Sequence, residues 1–190
     1  MKKILVIFDC FGVLCEPVVS KFLRGRASEE DIAYFSGKFS REGDLGKVSR
    51  EEFFKQLSGA VNMTPKEAEE ALKDYYVLHE PLVGVIEKIR AFADTALLSN
   101  AFFGHAEMVL DGLDTRRLFD KVFISSSCGV AKPDPAFYQI CLDSFDGEYE
   151  AIYMVDDTDN NLEPLPELGI LPIKYTCASD VEKALEKYFE

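Results

Sequence analysis

Three acidic residues carry much of the chemistry open to this chain. Asp9 ends a run of five apolar residues, Ile4 to Phe8, and Gly12 follows closely. A short run with β-branched residues reads as a buried strand. Gly12 lets the chain turn sharply away from it. Asp9 therefore stands at the carboxyl end of a strand, where open α/β sheets place their ligands. Asp156 and Asp157 follow a second apolar run, Ala151 to Val155. If the two strands are neighbours, three carboxylates converge. They repel one another unless a cation neutralises them or some hold protons. A Mg²⁺ site meets that need with oxygen ligands.

Two further polar groups sit at comparable places. Ser99-Asn100 closes an apolar stretch, and Lys132-Pro133-Asp134-Pro135 precedes a helical pattern. Strand-end Ser and Asp are ordinary turn formers, so each group alone carries little weight. Their shared position at strand ends, in this order, is the informative feature.

The elements that must hold these residues follow an alternating rhythm. Strands are expected over Ile4 to Phe8, Thr95 to Leu98, Lys121 to Ser125, Ala151 to Val155 and Leu171 to Tyr175. Helices are expected over Leu82 to Phe92, Phe102 to Leu113, Pro135 to Ser144 and Ser179 to Phe189. Strands alternating with helices imply an α/β fold, a Rossmann-like parallel sheet flanked by helices. Between the first two strands lies a stretch without strand signals. Ser28 opens a helix running to about Phe39. Ser49 to Glu52 is a capping-box match, and Thr64-Pro65-Lys66-Glu67 starts another helix. Arg41 to Gly46 reads as a polar connection. The division expected is an α/β core over 1–14 and 81–190, with an inserted all-helical cap over 15–80. The aromatic cluster Tyr34-Phe35, Phe39, Phe53-Phe54 and Tyr75-Tyr76 reads as the cap's core.

The 190 residues are 47% hydrophobic, which suits a globular chain, and the formal charge is −13. That charge argues against nucleic acid or an anionic membrane as partner. It also makes each well-placed lysine important for any anionic substrate. The five cysteines include no Cys-x-x-Cys pair, which fits a reducing cytosol. Asp9 breaks the first apolar stretch too early for a secretory signal, and no stretch reaches the ~20 apolar residues of a membrane helix. A soluble, cytoplasmic protein is expected.

Taken together, the four groups resemble the motifs of the haloacid dehalogenase superfamily, in its phosphatase-like branch with a small helical cap. Ile7 to Leu14 resembles its nucleophile motif, and Leu97 to Asn100 its Ser/Thr motif. Ser127 to Pro135 resembles its lysine motif, and Val155 to Asn161 its acidic motif. The resemblance spans nearly the whole chain. It implies that Asp9 attacks phosphorus, forming an aspartyl-phosphate, with Lys132 as the charge beside it. It implies Mg²⁺ held by Asp9, the backbone carbonyl of Phe11, Asp156 and Asp157. Ser99 and Asn100 would donate hydrogen bonds to phosphate. Asn161, four residues after Asp157, would support the metal ligands from one helical turn away. The implied partner is a small phosphorylated metabolite. Cap motion is expected, with hinges near Cys15-Glu16-Pro17 and His79-Glu80-Pro81.

The chain also departs from the family pattern. Phosphatases of the family carry a second Asp two residues after the nucleophile, which protonates the leaving oxygen and later activates water. Here that residue is Phe11, and general acid–base help is typically worth ~10²–10⁴ in rate. Such an enzyme is expected to be slow, restricted to good leaving groups, or supplied with an acid from Glu16, Asp44 or His105. His105 itself reads more readily as a surface helix residue. Val13 replaces the usual Thr, and Pro164 and Pro166 predict an irregular stretch after Asn161. Three readings stay open. The first is a Mg²⁺-dependent phosphate monoester hydrolase. The second is a weakly catalytic binding or regulatory relative. The third is a metal-independent 2-haloacid dehalogenase, against which Asp156-Asp157 argues.

Overall fold

In the computed structural model, residues 4–189 are described. Five parallel strands form one sheet: β1 (Ile4–Phe8), β2 (Ala93–Ser99), β3 (Lys121–Ile124), β4 (Ala151–Asp156) and β5 (Leu171–Lys174). Their spatial order is β3-β2-β1-β4-β5. Every β1 residue is buried, as expected of a central strand covered on both faces. Ile4, Val6 and Phe8 face one core, built with the helices α6 (Glu80–Ile89), α7 (His105–Gly112) and α11 (Ala178–Ala184). Leu5 and Ile7 face the other, filled by Phe137, Tyr138 and Cys141 of α9 (Pro135–Leu142).

This order explains why the motifs meet. The chain moves outward from β1 through β2 to β3, then returns to lay β4 on the other side of β1. The loops leaving β1 and β4 therefore diverge and open a crevice at their carboxyl ends. Phe8 is level with both Leu97 and Val155. Asp9 and Asp156, each one residue further, thus lie side by side. The Asp9 N–H donates to the Val155 carbonyl at 3.0 Å.

Between β1 and α6 run five helices: α1 (Val18–Leu23), α2 (Glu29–Ser36), α3 (Lys38–Asp44), α4 (Arg50–Ala60) and α5 (Pro65–Lys73). Ser28, Ser49 and Thr64 accept bonds from the backbone N–H three residues on. Only at Thr64 is the reciprocal bond from Glu67 present; Glu52 accepts from Gln56 instead. Phe35, Phe39, Phe53, Phe54 and Leu57 form a separate apolar cluster with Phe22 and Leu72. Tyr34 is the exception among the expected aromatics, at 43% exposed. The two connections to the sheet run together. Glu16 N–H donates to Val77, His79 N–H donates to Leu14, and His79 Nδ1–H donates to Val13 at 2.6 Å.

Several boundaries differ from the sequence reading. The helix expected from Ser28 to Phe39 stops at Ser36. Gly37 takes φ −112° and ψ −114°, a bend in which a Cβ would lie 2.9 Å from the Ala33 carbonyl oxygen, so only glycine fits there without a clash. A new helix then starts at once, and Arg41 to Asp44, expected as a connection, are helical. The six-residue α1 is too short to give a periodic signal in the sequence. Ser125, expected to end a strand, opens the short helix α8 (Ser125–Cys128). After Asn161, α10 (Asp159–Leu162) gives way to a 3-10 turn over Leu165–Leu168, the irregularity that the two prolines predict.

Candidate active site

The four strand-end groups converge at the carboxyl edge of the sheet. Lys132 is the centre of the arrangement. Its Nζ contacts Asp9 Oδ1 at 2.8 Å and Asp156 Oδ2 at 2.7 Å, and its side chain is fully buried. Its main chain is fixed by Asn100, whose Nδ2–H donates to the Lys132 carbonyl at 2.9 Å. Asn100 Oδ1 accepts from the Lys132 N–H at 2.8 Å. The Asn100 side chain thus holds the lysine with Oδ1 and one of its two Nδ2–H donors.

Asp156 is wholly buried and its oxygens are saturated. Oδ1 accepts from the Thr158 N–H at 2.8 Å and from Asn161 Nδ2 at 3.1 Å; Oδ2 accepts from Lys132 and again from Asn161. Asn161 therefore serves Asp156 and not Asp157. The reason is local: α10 begins at Asp159, so Asp157 lies outside the helix and the expected one-turn spacing does not apply. Tyr138 pins this segment by donating to the Asn161 carbonyl at 2.7 Å.

Asp9, Asp156 and Asp157 each present a carboxylate oxygen within 4.8 Å of the others. Asp9 Oδ1 also accepts from the Cys10 N–H, whereas its Oδ2 has no hydrogen bond among the described residues. Among the described residues the Asp157 carboxylate has a 3.4 Å contact from the Thr158 hydroxyl to Oδ1 and a bond from its own N–H, while Lys174 donates to the Asp157 carbonyl. When fully ionised, three carboxylates against one ammonium leave two uncompensated negative charges, the charge of one divalent cation. Burial raises the Asp9 carboxyl to about 7, opposed by Lys132 and reinforced by Asp156. Burial, then Asp156, also raises Asp157. For Lys132 burial works downward, but the two carboxylates outweigh it and hold the ammonium charged. Oxygen donors of this number, charge and proximity fit a hard cation such as Mg²⁺. Gly12 makes the approach possible. Its φ is +92°, and a Cβ there would lie 2.5 Å from Asp157 Cγ.

Ser99 at the end of β2 is fully buried, and its hydroxyl has no hydrogen-bond partner among the described residues. It does not line the open cleft. An unpaired buried hydroxyl costs on the order of 1–3 kcal/mol, a penalty that an incoming acceptor relieves.

Phe11 is part of a column of stacked rings. Its ring stacks on His105 at 4.4 Å, His105 stacks on Phe102 at 4.4 Å, and Phe102 stacks on Phe53 at 3.6 Å. The column links the loop after β1 to the helical block. His105 is accordingly 4% exposed, not the surface residue that its place near a helix start suggests. Burial, with Arg50 nearby, pushes its imidazole down to about 3, so the ring is neutral at pH 7. Glu16 is bound at 2.8 Å to Lys21 beside the connecting segments, away from the cleft.

Residues 5–169 match the family model of haloacid dehalogenase-like hydrolases, and the chain belongs to that family. It is 28% identical over 176 residues to acyl-CoA dehydrogenase family member 10 of Mus musculus. The match covers 89% of this chain and 16% of that protein. The chain thus spans about one sixth of the length of the curated relatives it matches. The fold is similar to a HAD family enzyme of Bacteroides thetaiotaomicron, in complex with magnesium and inorganic phosphate. The TM-score is 0.74 at 19% identity, covering 93% of this chain and 96% of that one. It is also similar to L-2-haloacid dehalogenase of Xanthobacter autotrophicus with chloropropionic acid covalently bound. There the TM-score is 0.67 at 17% identity, covering 98% and 83%. At such identities these likenesses establish the shared fold. Among the described residues no helix is long and apolar enough to cross a membrane.

Proposed function

We propose that this protein is a Mg²⁺-dependent hydrolase of small phosphate monoesters, acting through an aspartyl-phosphate on Asp9. The observation that carries the reading is the charge balance around Lys132: three clustered carboxylates and one buried ammonium. Asp9 through Oδ2, and Asp157, would hold the cation together with the Phe11 carbonyl. Asp156 adds charge and holds Lys132 in place. When bound, Mg²⁺ screens the carboxylates from an anionic substrate and orients its phosphoryl group.

The chain's own residues supply the rest. Asp9 attacks phosphorus, and the ester P–O bond breaks. Lys132 faces both the nucleophile and the phosphoryl oxygens as a fixed positive charge. Ser99, buried next to Asn100 with an unpartnered hydroxyl, would serve a phosphate oxygen that reaches the end of β2. Lys38 and Arg41 line the same cleft and favour an anion in a chain of net negative charge. Water then cleaves the aspartyl-phosphate, returning Asp9 and releasing phosphate.

The test is release of inorganic phosphate from a panel of metabolite phosphates with Mg²⁺, wild type beside Asp9→Asn. Turnover that needs Mg²⁺ and disappears in Asp9→Asn is expected. Activity surviving complete chelation, or Mg²⁺-independent halide release from 2-chloropropionate, overturns it. Phe11 favours a second reading, a phosphate-binding relative without turnover. Binding of Mg²⁺ and phosphate with no hydrolysis across the panel selects that one.

A further inference from the structure

Where the family's acid/base would stand, Phe11 cannot transfer a proton, so any proton donor must come from elsewhere. The space around the nucleophile narrows the choice. The polar cleft that contains Asp9 and Lys132 adjoins an apolar cavity of about 200 Å³ between the helical block and the sheet. Five residues line both: Phe11, Ser36, Ser40, Asp44 and Asn100. They mark the junction that a phosphate ester's bridging oxygen occupies if its phosphoryl group sits at Asp9 and its organic group in the apolar cavity. Of the five, Asp44 alone carries an ionisable side chain.

The other acids lie elsewhere or are committed. Glu16 lines neither space and is paired with Lys21. His105 lines the apolar cavity but is locked in the aromatic column and neutral. Asp134 lines the cleft but not the cavity, and it caps α9 by accepting from the Ala136 N–H. Asp44, by contrast, makes no hydrogen bond or ion pair among the described residues.

We propose that Asp44, supplied by α3, is the catalytic acid and base of this enzyme, serving esters whose leaving group is apolar and about one aromatic ring in size. The proposal rests on the phosphatase reading above. The size follows from the cavity. A 150 Å³ apolar cavity holds benzene, so about 200 Å³ holds a ring and one or two further carbons. Rings of Phe35, Phe39, Phe53 and Phe102 line it. In the first step Asp9 bonds to phosphorus, the ester P–O bond breaks, and the Asp44 carboxyl proton passes to the departing alcohol oxygen. In the second step Asp44, now a carboxylate, takes a proton from the water that attacks phosphorus. The Asp9 O–P bond breaks, phosphate leaves, and Asp44 is protonated again. Burial holds the Asp44 carboxyl up at about 6, against the pull of Lys132 and Arg41, so it keeps a proton available near neutral pH.

The test compares benzyl phosphate, whose alkoxide leaves poorly, with p-nitrophenyl phosphate, whose phenolate needs no proton. Both carry one ring. kcat/KM reports the first step alone, because the leaving group departs before water attacks. In Asp44→Asn, kcat/KM for benzyl phosphate is expected to fall by ~10²–10⁴ and that for p-nitrophenyl phosphate by less than tenfold. For the latter, kcat and KM fall together as the second step slows. Asp44→Ser removes the same carboxyl with a different side chain and is expected to give the same split. Equal losses in kcat/KM on both substrates, or no loss on either, overturn the role of Asp44 while leaving the phosphatase reading intact. Absence of phosphate release by wild type from either ester, and from the metabolite panel, overturns the reading on which it rests.

Discussion

Replacing Lys132 with Met tests the electrostatic account without reference to any substrate. The Lys132 ammonium lies between Asp9 and Asp156 at 2.8 and 2.7 Å, with no side-chain exposure. Lys132→Met keeps the length and the apolar stem but leaves two buried carboxylates without their counter-charge. Breaking a buried pair in this way costs about 3–5 kcal/mol. For a chain of this length each kcal/mol moves the melting temperature by roughly 2–4 °C, so a loss of roughly 6–20 °C is expected. The loss also has a direction with pH. Asp9 is raised to about 7 even with Lys132 present, mainly by burial. Without the lysine it rises further, so the folded state holds its proton over a wider range than the unfolded chain does. The proton removes the unpaired charge, and stability is greatest below the unfolded carboxylate range near 4. It then falls as pH rises through the raised folded value. Melting followed by circular dichroism at pH 5 and pH 8, with chelator present, reads both effects. A shift under about 2 °C at pH 8 refutes the reasoning, as does a larger deficit at pH 5 than at pH 8.

Other consequences follow from single contacts. His105 is buried and neutral, with its imidazole depressed to about 3. The unfolded chain therefore binds the proton first as pH falls below about 6.5, and stability is lost in that direction. His105→Phe, which keeps a ring in the column, is expected to gain roughly 2 kcal/mol relative to wild type between pH 7.5 and pH 5 in urea titrations. An unchanged difference between the two pH values contradicts the burial of a neutral imidazole. Gly12→Ala forces a Cβ against the Asp157 carboxylate at a φ of +92°. It is expected to lower the melting temperature and to abolish the stabilisation by millimolar Mg²⁺ that the proposed metal site predicts for wild type in a thermal-shift titration. Phe102→Ala removes a ring that is 6% exposed and stacked between Phe53 and His105. It is expected to cost about 3–5 kcal/mol by denaturant unfolding. A loss below 1 kcal/mol contradicts the tight packing of the column.

How much of this was legible in the sequence depends on the range of the interaction. Asp9 and Asp156 were readable because each directly ends a run of buried strand residues, and strand ends in open parallel sheets gather at one edge. The alternating rhythm from β2 onward was readable for the same reason: short apolar runs bounded by turn residues leave few other folds. The partners of those carboxylates were less readable. Asn161 stands four residues after Asp157, a spacing that suggests a pair on one helical face. The helix starts only at Asp159, which hands Asn161 to Asp156 instead. The grip of Asn100 on the Lys132 main chain joins two distant loops, and no local pattern encodes it. His105 read as a surface residue because a polar ring at a helix start usually is one. Its burial follows from three aromatic neighbours, of which only Phe102 is close in sequence. Arg41 to Asp44 read as a linker from composition, yet Gly37 ends α2 early and lets α3 carry Asp44 to the cleft.

The central claim is that Asp9 becomes covalently phosphorylated in a Mg²⁺-dependent turnover, and trapping that species tests it most directly. Wild type is mixed with a phosphate ester labelled in its phosphoryl group, with and without Mg²⁺, quenched in acid within the first turnover, digested and mapped. The account predicts a hydroxylamine-labile phosphoryl label on the peptide containing Asp9, present only with Mg²⁺ and absent from Asp9→Asn. A label on any other residue, or steady turnover of the ester by Asp9→Asn, would contradict it.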